Sequence, residues 1–433
     1  MDRRRKHAQP PIVRLLSPLR DFLATETAGG ILLAGGAVAA LVWANSPWSA
    51  SYERLWASKI SIGVAGHTLE LDLQHWINDG LMAIFFLVVG LEIKRELTTG
   101  HLSSRRSALL PFAAAIGGMV VPALLYLAIA GRVASRGWAI PMATDIALAL
   151  GVAAVAAPRL APPMRVFLLG LAIVDDIGAI IVIAVFYSDG VSWPWLAAAL
   201  ASIVLTVAMQ RVDVYHTAAY VVVGTFLWLG LHEAGIHATI AGVVMGLLAP
   251  TTARLAPEFV DTEELLDLSS VEAAQATTAI ARDSVSVVEW LQHVLHPWTS
   301  YAIVPLFALA NSGIEITVPQ LRHAASSAIT WGIIVGLVIG KPLGITIASR
   351  LAVRARWADH PEGATPRSSL GIGGAAGIGF TVALFITELA FTDEVRQSEA
   401  KLAILIASVV AAIIAALLLR SPDAPETTSF GAA

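Results

Sequence analysis

The chain contains no cysteine, which removes disulfides, thiolate metal sites and cysteine nucleophiles from consideration. That absence does not identify a compartment. Charge is also scarce: Asp, Glu, Lys and Arg make up 14% of the 433 residues, against roughly 25% in soluble domains. A string of soluble globular domains is excluded. A secretory signal pattern is missing too, because no apolar core with a small-residue cleavage site closely follows the basic opening MDRRRKHAQPPIVRLLSPLR. Residues 1–27 therefore read as a retained basic cytoplasmic segment.

Hydrophobicity is what the chain has in excess, at 56% of residues and a mean hydropathy of +0.72. Candidate spans fall at roughly 28–47, 75–93, 107–131, 137–157, 164–187, 192–210, 216–231, 234–250, 293–312, 329–350, 370–391 and 401–420. The expected fold is an all-α polytopic membrane protein of about twelve transmembrane helices, with a transmembrane domain over 28–420. Of the 28 Lys and Arg residues, twenty fall on the side of the N-terminus, seven on the other side, and Lys341 within a span. The positive-inside rule then sets both termini in the cytoplasm. An acidic cytoplasmic insert is expected at 251–289, and a disordered tail at 421–433. Between the first two spans, KISIGVAGHTLELDL alternates apolar and polar residues about Ala65 and Gly66, the pattern of a short external β-hairpin. Its edges are open to pairing with a second copy; an ordinary surface loop fits the pattern equally well.

Two adjacent aspartates, Asp175 and Asp176, interrupt the apolar run FLLGLAIVDDIGAIIVIAVFY. At ~1.5 Å of rise per residue they lie roughly 12 Å along a span of about 30 Å, near mid-membrane. One Asp there costs on the order of 2.5–3.5 kcal/mol even on the insertion scale, so a pair needs a reason. Neighbouring helical residues point about 100° apart, which lets one carboxylate face a water-filled cavity and the other a partner in the bundle. That geometry suits ion or proton handling.

PMATDIALALG sets Pro141, Thr144 and Asp145 inside a predicted span. Pro lacks a backbone donor, and Thr and Asp cap new helix starts, so a broken helix is expected. Irregular backbone at membrane depth is tolerated only where it is buried in protein or lines a cavity. GIGGAAGIGFTVALF, from Gly371 to Phe385, is a second interruption. Its opening fits a loose dinucleotide pattern, but no strand precedes it and no βαβ unit surrounds it, so a nucleotide cofactor is rejected. The two breaks lie seven spans apart, each in the middle of a three-span block. Inverted repeats with two discontinuous helices crossing near the midplane follow from that placement.

Lys341, in GLVIGKPLGI, is either a partner for one of the aspartates or a side chain snorkelling to an interface. Asp79, in WINDGLMAIFF, reads equally as an exit-path acid or an interfacial cap. Glu92 and Arg95 sit at the opposite end of that span, where charge is expected anyway. His237, His293 and His296 are candidate pH sensors. The last two have i, i+3 spacing but lack a third ligand for a resident metal.

Taken together, TDIALALG, LAIVDDIGAI, IGKPLG, GIGFT, WINDGLMAIFFLVVGLEIKRE and HVLHPW closely resemble the NhaA sodium/proton antiporter family, from about Phe22 to Leu418 apart from the acidic insert. The resemblance implies an electrogenic, pH-regulated exchanger of cytoplasmic sodium or lithium for external protons in the bacterial inner membrane. Asp176 would be the principal cation- and proton-binding carboxylate, with Asp175 its neighbour, paired with Lys341; the only metal implied is the transported ion. Thr144 and Asp145 would belong to the crossing, Asp145 balancing helix-end charge, and Asp79 would support transport. Glu92, Arg95, His237, His293 and His296 match the family's pH-response positions. Glu289, Trp290 and Gln292 depart from the family's pattern before HVLHPW, so a different pH set point is expected. The family's hairpin implies a homodimer through 57–73. No cofactor, nucleic acid or enzymatic activity is implied. A proton-coupled solute symporter is the alternative, though the spans hold no Arg at their core. An intramembrane aspartyl protease is the weaker one, since its Tyr-Asp and Gly-x-Gly-Asp motifs are missing.

Overall fold

The structure, a computed structural model, describes residues 28–64, 67–158, 160–188, 190–214, 216–252 and 285–420. The basic segment 1–27, the hairpin turn at Ala65 and Gly66, most of the 251–289 insert and the tail 421–433 lie outside these residues. The chain begins with α1 (Ala28–Ala44) and a short α2 (Ser49–Trp56), then strands β1 (Lys59–Val64) and β2 (His67–Asp72). Next come α3 (Leu73–Thr98), α4 (Arg105–Ala134), a 3-10 segment (Ser135–Met142) and α5 (Ile146–Ala156). There follow α6 (Pro162–Phe186), α7 (Trp193–Arg211), α8 (Thr217–Glu233), α9 (Ile240–Leu248) and α10 (287–311). The last part comprises α11 (Val318–Ser326), α12 (Ala328–Arg354), α13 (Pro366–Ala376), α14 (Phe380–Ala390) and α15 (Glu394–Leu419).

Each predicted span falls on one of these helices or on a broken pair, and both predicted breaks are present. The first separates the 3-10 segment from α5, with Ala143 and Asp145 in extended backbone. The second separates α13 from α14, which are bent by 47°. Among the described residues, six helices are long and apolar enough to cross a bilayer alone. The first broken span sits between α4 and α6, and the second between α12 and α15. The two blocks lie seven spans apart in the chain. They interlock through α4 and α12, the leading helices of each block.

Of the two readings left open by the alternation the structure shows the hairpin, which pairs Lys59 with Asp72 through to Val64 with His67. Lys59 and Glu70 form an exposed ion pair at 2.8 Å, which raises the lysine's proton affinity and lowers the carboxylate's. A pair so open to water adds little to stability.

Three features go beyond the sequence-based expectation. First, α2 turns 118° away from α1. Its Tyr52 and Trp56, one turn apart, are buried, and Tyr52 Oη donates to Leu309 O at 2.8 Å, pinning this surface helix to the end of α10. Second, α11 forms in the loop after α10, started by a Thr317–Gln320 capping box. Third, wide π-turns interrupt three helices, at Trp76–Leu81, Thr299–Ile303 and Gly336–Gly340. The last two are each followed two residues later by a proline, Pro305 and Pro342. Proline cannot donate to the carbonyl a turn earlier and its ring crowds that carbonyl, and a wider turn absorbs the misfit.

Glycine stripes let helices touch backbone to backbone. A Cβ on Gly246 of α9 would lie 2.6 Å from Leu87 O of α3, and one on Gly90 would lie 2.7 Å from Val243 O. Gly246→Val is therefore expected to force α3 and α9 apart at a cost of about 1–3 kcal/mol. Thermal unfolding of the purified protein in detergent measures this as a lowered midpoint, with Gly246→Ala showing the smaller loss.

Candidate functional site

The site forms where the two breaks meet. Pro141 lies in the last turn of the 3-10 segment, which ends at Met142, and Asp145 starts α5 by accepting from Leu148 N through Oδ1 at 3.0 Å. Facing it, residues 377–379 leave the helix and α14 restarts at Phe380. The segments are stitched together by Asp145 N donating to Ile378 O at 2.6 Å and Thr144 Oγ1 donating to Ala376 O at 2.9 Å. In return, Thr381 donates to Asp145 Oδ2 from its backbone N at 3.1 Å and from Oγ1 at 2.6 Å. Broken helices leave orphan N–H and C=O groups at their ends. Here the two breaks satisfy part of each other's deficit.

Lys341 reaches this crossing from α12 immediately after the Gly336–Gly340 π-turn. Its Nζ lies 2.7 Å from Asp175 Oδ2 and also donates to Met142 O, at the carbonyl end of the 3-10 segment. The ammonium and the carboxylate are 1% and 2% exposed. A pair withdrawn this far from water holds together because each charge makes the other's burial tolerable, and removing one partner strands the other. Lys341 is thus a partner for Asp175 and does not snorkel.

The second oxygen of Asp175, Oδ1, is buried without a hydrogen-bond partner. Beside it the carboxylate of Asp176, a residue 5% exposed, makes no hydrogen bond or ion pair among the described residues. The charges of Asp175, Glu92, Asp145 and Lys341 all reach Asp176. The carboxylates therefore differ in how far the protein satisfies them: Asp145 accepts on both oxygens, Asp175 on one. Buried oxygen acceptors left open in this way suit a small hard cation or protons.

The remaining candidates lie away from the crossing. Asp79 sits half-buried in the π-turn Trp76–Leu81, where Trp228 Nε1 donates to its backbone oxygen at 2.9 Å. Its carboxylate interacts electrostatically with His232 and His237. His237 also hydrogen-bonds Tyr187 O at 2.8 Å, at the closing end of α6. Glu92 and Arg95 lie toward the other end of α3, against which α10, the helix of His296, is packed. His293 and His296 are exposed. The five pH-response candidates thus divide between opposite ends of the bundle. Sequence reading passed over Thr381, whose signal was a threonine two residues after the Gly379 that ends a glycine-rich break.

Comparison with known proteins gives a consistent picture. The family model described as Na+/H+ antiporter 1 matches residues 20–419. The Na(+)/H(+) antiporter NhaA 2 of Myxococcus xanthus is 46% identical over 95% of this chain and 92% of its own length. NhaA 2 of Sorangium cellulosum is 44% identical over 95% and 92%, and NhaA 3 of Frankia alni 43% identical over 93% and 88%. Among solved structures, the sodium proton antiporter MjNhaP1 from Methanocaldococcus jannaschii superposes with a TM-score of 0.48 at 13% identity, covering 94% of each chain, a likeness too remote to argue from.

Lys341→Met, which strands the Asp175 carboxylate, is expected to cost about 3–5 kcal/mol. Thermal unfolding in detergent measures the loss. The double variant Lys341→Met/Asp175→Asn, which removes both charges, is expected to regain most of it.

Proposed function

The chain belongs to the Na+/H+ antiporter 1 family, and from that premise we propose that Asp175 and Asp176 form the one site at which sodium and protons compete. The protein is a multi-pass membrane transporter of the NhaA type with sodium and protons as its substrates, and not an enzyme. The observation that carries the site assignment is the open side of the aspartate pair. Asp175 is half-satisfied by Lys341 and Asp176 is unpaired, both beside the crossing of two broken helices.

An uncompensated carboxylate in a dry interior is costly. The pair is compensated either by a sodium or lithium ion or by protons, and each occupant displaces the other. A site that reorients only when loaded exchanges one ion for the other, and the proton gradient drives sodium outward without a cofactor. More protons enter than sodium ions leave, making the exchange electrogenic. The Lys341 and Asp145 charges sit at opposite helix ends of the first break, ammonium on the carbonyl end and carboxylate on the amide end, which supports a fixed frame around a changing occupant.

The Lys and Arg asymmetry supports both termini lying on the cytoplasmic side of a bacterial inner membrane, with 1–27, the 251–289 insert and 421–433 flanking or interrupting a transmembrane domain over 28–420. In that orientation Asp79 and His237 stand toward the external end. Glu92, Arg95, His293 and His296 stand toward the cytoplasmic end, where they would tune activity to pH. The hairpin, a two-stranded sheet, is the proposed contact of a homodimer through 57–73.

Two measurements test this reading. Purified protein in liposomes is expected to move protons when sodium or lithium, but not potassium, is imposed, and clamping the membrane potential is expected to accelerate that flux. Asp176→Asn is expected to abolish it while leaving a monodisperse, folded protein; retained sodium-driven flux in that variant overturns the site. Light scattering of protein lacking residues 59–72 is expected to give a monomer where the full chain gives a dimer.

A further inference from the structure

Helix α14 starts from Gly379, an N-cap with no side chain to accept from the first turn. A Cβ at that position would lie 3.0 Å from the Leu337 side chain and 3.1 Å from Ala143 O. The crossing therefore leaves no room for the Ser, Thr or Asp that ordinarily fills this role. The acceptor comes instead from the other broken span. Asp145 Oδ1 takes Leu148 N of α5 at 3.0 Å, and Oδ2 takes Thr381 N and Oγ1 of α14 at 3.1 and 2.6 Å. One carboxylate caps two helices that lie 236 residues apart in sequence, and Thr381 supplies both of its links to the second.

Thr381 and Asp145 are 3% and 2% exposed, so water offers neither a substitute partner. A hydroxyl donating to a carboxylate in such a place makes one of the stronger hydrogen bonds available to a protein. Thr144 precedes Asp145 directly and donates to Ala376 O, and two residues earlier Met142 O accepts from the same Lys341 ammonium that pairs with Asp175. Any shift of Asp145 is carried along the 142–145 segment to the Lys341–Asp175 pair.

We infer that Thr381 is a positioning residue of the exchange: its hydroxyl, through Asp145, holds the Thr144 segment against Asp175 in the geometry that accepts sodium. This rests on the aspartate-pair reading above.

Thr381→Val keeps the backbone donor and the shape and removes only the hydroxyl, and Thr381→Ser restores the hydroxyl alone. Loss of one charge-assisted hydrogen bond from the frame of the site is expected to raise the sodium KM of proton exchange in liposomes about ten-fold. The maximal rate is expected to change much less, and Thr381→Ser to stay near wild type. The sodium concentration that protects the folded protein against heating is expected to shift by the same factor, which a generally loosened fold would not reproduce. Should Thr381→Val fail to purify, Thr381→Ala removes the same hydroxyl and carries the same test. A wild-type KM in the Val variant, or equal impairment of the Val and Ser variants, overturns the inference. Asp176→Asn run alongside separates the failures. If that variant is inactive while Thr381→Val behaves as wild type, only the positioning role falls; if Asp176→Asn is active, the site reading falls and this inference with it.

Discussion

A lysine ammonium and an aspartate carboxylate, each almost wholly withdrawn from water, cannot be kept there apart. In this protein Lys341 and Asp175 are 2.7 Å from each other, and the same ammonium donates to Met142 O at the end of the 3-10 segment. That one side chain joins three elements: α12, α6 and the first broken span. The surrounding structure provides for it. Gly336 approaches Pro141 so closely that a Cβ would lie 2.6 Å from the proline's own, and one on Gly340 would lie 3.0 Å from Pro122 Cα. The π-turn between these glycines, followed by Pro342, sets the face of α12 on which Lys341 emerges. Had α12 been held off by ordinary side chains, the ammonium would have had to choose between its two acceptors.

Around this pair the acids divide by how much the protein does for them. Asp145 is satisfied on both oxygens by helix amides and Thr381, and serves as scaffold. Asp175 is satisfied on one oxygen, while the Asp176 carboxylate has no hydrogen-bond or ion-pair partner among the described residues and faces mostly like charge. Satisfaction falls off from Asp145 through Asp175 to Asp176, the pair proposed as the cation site. A site that must bind and release its occupant gains from such a gradient, since a fully hydrogen-bonded carboxylate has no capacity left for a cation and an entirely unsupported one has no defined position.

Much of this was legible in the residues. Two aspartates in an apolar run announce themselves by cost, and Pro141 and the Gly371–Gly379 stretch break helices for reasons of backbone chemistry alone. The alternation about Ala65 and Gly66 fitted a hairpin and a surface loop equally, and the structure pairs the two segments as a hairpin. The partnerships across the fold were not legible. Nothing local to GIGFT says that Thr381 meets a carboxylate 236 positions earlier, and Lys341 in isolation reads as readily as a snorkelling side chain. Short amphipathic helices were also hidden. α2 and α11 lie in segments that hydropathy reads as loops, because burying Tyr52 and Trp56 needs only one turn and leaves no long periodic signal. The pH-response candidates looked like one set in sequence, yet the fold divides them, with His237 against Tyr187 at one end and Arg95, on the helix packed against that of His296, at the other.

The central claim is that sodium and protons occupy the same carboxylates in turn. The most direct measurement is proton release on sodium addition to the purified, weakly buffered protein in detergent, followed by titration calorimetry in two buffers of different ionisation enthalpy. Competition at Asp175 and Asp176 predicts that sodium binding expels protons, that its apparent affinity weakens as pH falls, and that both effects vanish in Asp176→Asn. Sodium binding of unchanged affinity across pH, with no proton released, would contradict the account.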